Sequence, residues 1–302
     1  MHSSCVLLLV GALSVWAAQQ KSAETKGRDY TLSVDVDLVV FNASVLDSKG
    51  RPVKGLSKDN FRLFEDDREQ QIKFVRPEDV PATVGLVIDN SGSMRQKKSD
   101  VIEAALAFVE SSNPQDEIFI VNFNERVSMG LPEGLLFTND VDQLRNALAG
   151  IHTDGKTALY DAIGVALKHL DSGTYQRKAL VVLSDGGDNA SASTLSDVLK
   201  LSEQSSATIF AIGIFGPDDK DKNPKVLRQL AQLSGGETYL PQRLDELNDI
   251  WRRIAGGIRN QYTIGYVSTN LKHDGTFRNV KVYATSHDGK PLRVRARRGY
   301  AR

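Results

Sequence analysis

Oxygen-bearing side chains are concentrated in the segment DNSGS (89–93), which directly follows the apolar run TVGLVI (83–88). The pattern Asp-x-Ser-x-Ser places one carboxylate and two hydroxyls on the same side of a tight turn, and Gly92 permits the sharp backbone path. Carboxylate and hydroxyl oxygens suit a hard cation such as Mg²⁺. The segment therefore predicts a cation-binding loop, although Ser and Asp also serve as helix N-caps when they occur alone.

Two further residues complete the predicted site. Thr157 lies in GKTALYDAI at the start of a predicted helix, and Asp185 ends the apolar strand ALVVLS. Both positions are junctions between elements, so their loops are expected to meet the first one at one edge of a sheet. We predict that Mg²⁺, or alternatively Mn²⁺ or Ca²⁺, is bound by these residues: Asp89, Ser91, Ser93, Thr157 and Asp185. An ion with so few anionic ligands keeps water or an open position for an incoming carboxylate.

A competing motif covers Gly150 to Thr157, where GIHTDGKT matches the P-loop pattern G-x-x-x-x-G-K-T. The strand ending at Asp185 would then hold the Mg²⁺ of a nucleotide hydrolase. A P-loop needs a buried strand before its first Gly, whereas the preceding DVDQLRNALAG has a helical period. This alternative also leaves the 89–93 segment unexplained. A third hypothesis is a structural envelope protein whose metal only stabilises the loops.

The elements that would position these loops alternate between buried-type strands and amphipathic helices across 81–260. Apolar runs at 83–88, 117–121, 179–183 and 208–212 are typical of strands buried on both faces. Stretches with helical composition or spacing lie between and after them, at 103–110, 141–151, 159–170, 226–233 and 244–258. This alternation predicts an α/β fold with a doubly wound, mostly parallel sheet.

The flanking segments 28–80 and 261–302 alternate apolar and polar residues and are predicted to be β-rich. Neither is long enough to bury a good core alone. We therefore expect them to pack together as a second small β domain, with the α/β domain of 81–260 inserted between them. In the last strand, LRVRARR (292–298), we expect a solvated arginine face rather than an anion-binding patch.

Composition limits the function further. Lys plus Arg and Asp plus Glu both number 38, so no net charge attracts nucleic acid. The apolar run at 5–18 predicts a cleaved signal peptide (1–18) and secretion or periplasmic location, because a membrane span needs about 20 residues. The single cysteine, Cys5, lies in that run, so the mature chain would have no disulfide. With no Gly-x-Ser-x-Gly elbow and scattered histidines, we expect no enzymatic activity.

Together, DNSGS, the Thr of GKTALYDAI and the Asp of LSDGGDN resemble the metal-ion-dependent adhesion site of von Willebrand factor A domains. The resemblance covers about 81–260. It implies partly water-mediated coordination by Asp89 and Asp185, direct coordination by Ser91 and Ser93, and conformation-dependent coordination by Thr157. One departure is Gly187, where many relatives carry Glu after the Asp-Gly.

The resemblance also implies a function and a subgroup. The implied function is a non-enzymatic, metal-dependent adhesion module, in which an Asp or Glu of a partner protein completes the metal shell. The segments GRPVKGLSKDNFRLFEDDREQQI and LRVRARRGYA are similar to the secreted bacterial subgroup called the VWFA-related acidobacterial domain. Neither the identity of the partner nor the oligomeric state follows from these motifs.

Overall fold

The computed structural model describes residues 38–149, 153–216 and 221–301, so the predicted signal peptide lies outside the described residues. The strands are β1 (Leu38–Leu46), β2 (Phe61–Glu65), β3 (Arg68–Gln70), β4 (Ile72–Glu78), β5 (Thr83–Asp89), β6 (Glu117–Phe123), β7 (Val127–Met129), β8 (Lys178–Ser184), β9 (Thr208–Gly213), β10 (Thr238–Tyr239), β11 (Gln261–Val267), β12 (Phe277–Thr285), β13 (Pro291–Ala296) and β14 (Gly299–Ala301). The helices are α1 (Lys98–Ser111), α2 (Val141–Ala149), α3 (Leu159–Leu170), α4 (Leu195–Gln204), α5 (Pro224–Ser234) and α6 (Leu247–Arg259).

One sheet contains the strands of the central segment, in the order β10-β9-β8-β5-β6-β7. All its neighbours pair in parallel except β7, which is antiparallel to β6. Every residue of β5 is buried, as expected for a strand covered on both faces. Because β6 and β8 lie on opposite sides of β5, the chain changes direction there, and open α/β sheets bind ligands at such a switch point. The predicted α/β fold with a mostly parallel sheet is confirmed.

Helices form two contact groups around this sheet. Helix α1 packs against α2 and α6, whereas α3 packs against α4 and the central strands. The α1–α6 contact includes Phe108 and Trp251, whose ring centroids are 5.1 Å apart. Within the described residues, no helix combines the length and apolar character that crossing a bilayer would require.

The sequence patterns did not predict helix α4. Its apolar residues Leu195, Val198 and Leu199 have helical spacing; Val198 is buried, and the two leucines pack partly buried against the core. The helix begins at a capping box, in which the Thr194 hydroxyl accepts a bond from the Asp197 amide and the Asp197 carboxylate accepts one from Thr194. Two local signals of this helix, the capping box and a short apolar stripe, were therefore missed in the sequence.

The second sheet is antiparallel and combines strands from both flanking segments, in the order β3-β2-β12-β13-β1-β11-β4, with β14 also paired to β12. Strand β11, directly after α6, lies between β1 and β4. Its residues Tyr262, Ile264 and Tyr266 are buried in a core that includes Phe41 and Leu63.

A buried polar cluster ties four strands of the second sheet together. The Glu65 carboxylate accepts hydrogen bonds from the hydroxyls of Tyr266 (2.6 Å), Ser268 (2.6 Å) and Tyr300 (2.9 Å). It also faces the Arg278 guanidinium at 3.4 Å, and both side chains of this ion pair are at most 2% exposed. Burial alone would raise the pKa of Glu65, but the hydroxyl donors and Arg278 lower it below its usual value.

The arginines of the last strands contradict the expected solvated face. Arg293 is exposed, but Arg295 forms an ion pair with Glu237 of the α/β segment. The Arg297 guanidinium lies 4.3 Å from the Phe41 ring centroid, and burial lowers its pKa. The prediction of solvent exposure was wrong for Arg295 and Arg297 because tertiary contacts cover that face.

Replacing Gly85 by Ala tests how tightly the central sheet is packed beneath the site. A Cβ at this position would lie 2.5 Å from Phe119 Cζ and 2.7 Å from Leu180 Cδ1. We expect Gly85→Ala to lower the free energy of unfolding by about 1–3 kcal/mol through overpacking, measured by equilibrium urea denaturation.

The matched control is Gly164→Ala in α3, where the nearest atom to the new Cβ would be at 3.7 Å. That substitution should leave stability unchanged or raise it by up to about 1 kcal/mol, because Ala favours helix. Equal denaturation midpoints for Gly85→Ala and the unsubstituted protein would contradict the packing argument.

Candidate metal centre

The first site loop begins where β5 ends. The Asp89 side chain, at the last residue of the strand, accepts a hydrogen bond from the Ser91 amide at 2.8 Å. This local bond turns the backbone into a short 3-10 helix at Gly92–Met94. The Asn90 amide group donates to Asn122 Oδ1 at 3.0 Å, which fixes the loop to β6. The turn brings the Ser91 and Ser93 hydroxyls to 3.2 Å from each other.

The second site loop follows β8, the neighbour of β5. Ser93 Oγ donates to Asp185 Oδ2 at 3.0 Å, and Ser184 Oγ donates to Asp89 Oδ2 at 2.6 Å. Four of the predicted residues, Asp89, Ser91, Ser93 and Asp185, are therefore brought together. Sequence reasoning missed Ser184, although its position as a polar residue between an apolar strand and a site aspartate was the available signal.

Thr157 is tied to the site through its backbone. Its backbone amide donates a hydrogen bond to Asn189 Oδ1 at 2.9 Å, and its carbonyl accepts hydrogen bonds from the amides of Asn189 and Ala190. The same loop meets the first one where the Gly92 amide donates to the Gly155 carbonyl at 3.2 Å. Thr157 is 7% exposed. Among the described contacts, no hydrogen bond joins its hydroxyl to the other four predicted residues.

The loop after Asp185 supports the site rather than supplying more ligands. Asp188 Oδ2 accepts bonds from the Tyr160 amide at 2.9 Å and from Ser191 Oγ at 2.6 Å, so it secures the first turn of α3. Asn189 fixes Thr157, as described above. Asp188 and Asn189 therefore act as supporting residues of the loop.

The electrostatics of the site are dominated by two buried carboxylates. Asp89 and Asp185 are 2% and 5% exposed. Burial raises the pKa of Asp89 from its usual 3.8 to about 6; the Ser184 and Ser91 hydrogen bonds oppose this rise, and the negative charge of Asp185 adds to it. No basic side chain in the described part of the chain forms an ion pair with either carboxylate.

These observations fit an oxygen-ligated cation. The described residues contain no group of three His, Cys, Asp or Glu side chains placed to hold a metal. The candidate site instead combines two carboxylates with hydroxyls, which suits a hard cation that keeps some water ligands. A bound cation would also compensate the charge of the two buried carboxylates, with which no basic side chain of the described segments forms an ion pair.

Comparison with known proteins agrees with this geometry. The sequence model of the von Willebrand factor type A domain matches residues 84–187, a segment that contains all five predicted ligands. Inter-alpha-trypsin inhibitor heavy chain H4 of Homo sapiens is 25% identical over 212 residues, which covers 64% of this chain and 22% of the human protein. The chain thus spans about a fifth of the length of that relative. The chain contains a von Willebrand factor type A domain.

Solved structures share the fold of this von Willebrand factor type A (VWA) domain. The von Willebrand factor type A protein from Catenulispora acidiphila has a TM-score of 0.53 at 15% identity, covering 86% of this chain and 71% of that one. The vWF domain of the type V pili tip protein Mfa5 from Porphyromonas gingivalis has a TM-score of 0.50 at 15% identity, covering 59% of this chain and 95% of that one. At such identities the likeness concerns the fold alone.

Gly187 of the VWA domain has a packing reason to lack a side chain. A Cβ there would lie 2.8 Å from the Asp221 carbonyl oxygen and 3.1 Å from Asp185 Oδ1. The preceding Gly186 has φ of +79°, a left-handed conformation that favours glycine. The backbone at Asp221 therefore occupies the space that a Glu side chain at 187 would require.

The P-loop alternative lacks its supporting strand. The residues before Gly150 form helix α2, which ends at Ala149, whereas a P-loop follows a buried strand. Residues 150–152 themselves lie outside the described residues. The Gly155 carbonyl accepts a bond from the metal-site loop, so the described part of this segment belongs to the VWA site.

The raised pKa of Asp89 predicts how the stability of the metal-free protein depends on pH. Because the folded state holds the proton more strongly than the unfolded state, the carboxyl group's contribution to stability is complete below 3.8 and is lost as pH rises through about 6. The free energy of unfolding of Asp89→Asn should therefore increase relative to the unsubstituted protein by about 2–3 kcal/mol between about pH 4 and about pH 7. Denaturation across pH, after treatment with chelating resin, measures this difference. A difference in stability between the two proteins that does not change with pH would contradict the raised pKa of Asp89.

Proposed function

We propose that the VWA domain is a non-enzymatic binding module that holds a divalent cation. The cation, Mg²⁺ or alternatively Mn²⁺ or Ca²⁺, is bound by the five residues predicted from the sequence: Asp89, Ser91, Ser93, Thr157 and Asp185. The observation that supports this proposal most directly is that two buried carboxylates and two serine hydroxyls meet at the switch point of the sheet. Within residues 38–149, 153–216 and 221–301, no basic side chain forms an ion pair with either carboxylate.

The proposed roles follow from the hydrogen bonds of each side chain. Ser91 and Ser93 have adjacent hydroxyls that can turn their lone pairs to the ion. Asp89 is engaged by Ser184 and by the Ser91 amide, so its carboxylate acts on the ion partly through water. Thr157, fixed only through its backbone, has a hydroxyl that is free to enter or leave the metal shell.

We further propose that a protein partner completes the metal shell with an Asp or Glu carboxylate. A divalent cation with only two protein carboxylates remains electrophilic at an open position, and an incoming carboxylate supplies a strong oxygen ligand there. The cation thereby links two acidic surfaces that would otherwise repel each other. A pilus tip protein shares this fold, which is compatible with an adhesion-type role.

The domain order and location are part of this proposal. A signal peptide at 1–18 would direct the chain to the periplasm or outside the cell. The β-rich segments 28–80 and 261–302 flank the VWA domain at 81–260 in the sequence. They would pack together as a second small domain. The antiparallel sheet that joins strands β1–β4 to β11–β14 supports this organisation.

Metal-dependent thermal stability tests the cation site. We expect Mg²⁺, Mn²⁺ or Ca²⁺, at about 100 times its Kd, to stabilise the metal-free protein by about 3 kcal/mol, because a ligand of the folded state shifts unfolding by mass action. Differential scanning calorimetry of the protein and of Asp185→Ala measures this effect. The variant should lose the metal response.

The matched control is Asp142→Ala, which removes an equal charge from a side chain that is 91% exposed on α2. It should respond to the cation like the unsubstituted protein. A response that requires ATP and survives Asp185→Ala would favour the P-loop hydrolase instead. The absence of any metal response would refute the proposed site.

Recognition of an acidic partner is tested with immobilised peptides that contain Asp or Glu and with matched peptides that contain Asn or Gln. We expect capture of the protein only by acidic peptides and only with a divalent cation, because the carboxylate must coordinate the ion. Surface plasmon resonance with and without EDTA measures this dependence. Metal-stabilised protein that binds both peptide sets equally would favour a purely structural role for the cation.

A further inference from the structure

A second candidate site lies away from the metal centre, between the VWA domain and the antiparallel sheet. A cleft of about 730 Å³ is bounded by α6, by the β9–β10 edge and by β13. None of the five proposed metal ligands lines it. Its volume is typical of sites that bind small molecules.

Basic side chains dominate the cleft. The acidic lining residues are Glu237 and Asp249. The basic lining residues are Lys49, Arg51, Arg252, Arg253, Arg293 and Arg295. The cleft therefore has an excess of positive charge, although the whole chain has none.

Half of these cations already have a partner. Arg295 pairs with Glu237, Arg252 pairs with Asp249 at 3.0 Å, and Arg51 pairs with Asp47 at 2.8 Å. Within the described residues, the remaining three, Lys49, Arg253 and Arg293, form no ion pair. Their combined charge is available to a ligand.

Glu237 shows that the cleft accommodates an oxyanion. Its two carboxylate oxygens accept bonds from the two terminal nitrogens of Arg295, and Tyr239 donates to Glu237 Oε2 at 2.7 Å. This fork-like pairing is the geometry by which arginine recognises carboxylate and phosphate. Although burial raises the pKa of Glu237, the hydrogen bonds and the charges of Arg295 and Arg293 lower it overall.

The floor of the cleft is kept open by glycine. Gly256 and Gly257 lie within α6, where glycine is less favourable than alanine. Packing does not require this loss: a Cβ at 257 would meet the buried Phe210 ring at an ordinary 3.7 Å, and one at 256 would meet only Asn260, at 3.9 Å. The two glycines therefore leave space beside the Phe210 ring, and they lower the stability of the helix.

We propose that this cleft binds a small ligand that carries carboxylate or phosphate groups on an apolar body. Arg253 on α6 and Arg293 on β13 bind its oxyanions, while the apolar body lies against the cleft lining at Gly257 and Phe210. Lys49 adds a third positive charge at the rim. The site does not depend on the metal centre, since it uses none of its residues.

Direct binding of two probe anions tests this proposal on protein freed of metal with chelating resin. Citrate represents carboxylates and pyrophosphate represents phosphates, and isothermal titration at constant ionic strength measures their affinities. We expect at least one to bind, and Arg253→Gln/Arg293→Gln to weaken that binding by about tenfold or more, because charge-assisted hydrogen bonds are lost. The preference between the probes identifies the oxyanion.

Two controls separate a built site from general charge attraction. Lys58→Gln/Lys200→Gln removes the same charge from two exposed positions outside the cleft and should leave the affinity unchanged. Gly257→Ala should weaken binding through its methyl group without lowering the melting temperature. The control Gly164→Ala should neither weaken binding nor lower the melting temperature.

Several results would overturn the proposal. These are no binding of either probe, equal losses in the two charge variants, or unchanged affinity in Arg253→Gln/Arg293→Gln. Binding of a long acidic peptide where neither small anion binds would also overturn it, because the cleft would then belong to a protein interface. Since the assay contains no divalent cation, failure here leaves the metal proposal unaffected.

Discussion

The cost of burying two negative charges governs the centre of this protein. Asp89 and Asp185 stand at the carboxyl ends of the adjacent strands β5 and β8, with little access to water and no basic partner among the described residues. Removing a carboxylate from water is unfavourable unless hydrogen bonds or an opposite charge replace the lost solvation. Ser184, the Ser91 amide and Ser93 supply part of that compensation. A divalent cation would supply the rest, which gives the fold a reason to concentrate these charges.

The surrounding loops are held to each other as well as to the sheet. The Gly92–Gly155 and Asp154–Asn90 backbone bonds join the first loop to the Thr157 segment. Asn189 then joins that segment to the loop after β8. These hydrogen bonds hold the ligand-bearing loops in position, as a binding site requires. Because these bonds set the backbone positions of the loops, only the side chains and water molecules of the metal shell are left to vary.

A different balance of charge operates where the two sheets meet. Arg295 contacts Glu237 and Arg297 contacts Phe41, so both side chains are partly shielded from solvent. These contacts join the last strands to the rest of the chain. Arginine suits this role because its planar guanidinium stacks on rings and pairs with carboxylates in a fork geometry. The same junction leaves Arg293 exposed in the basic cleft. Structural and ligand-binding uses of arginine thus lie side by side on one strand.

The sequence by itself determined the alternation of buried strands and helices, because a strand covered on both faces needs an unbroken apolar run such as 83–88. It also indicated which oxygens cluster, since Asp-x-Ser-x-Ser and the Asp after ALVVLS are local patterns at strand ends. Tertiary structure alone decided the rest. It showed that Ser184 bonds Asp89 and that Arg295 faces Glu237. The alternation of apolar and polar residues along a strand predicts which residues share a face. It does not predict whether solvent or another part of the protein covers that face. Only the packing of distant segments settles that, because burial is a property of neighbours that lie far apart in the sequence.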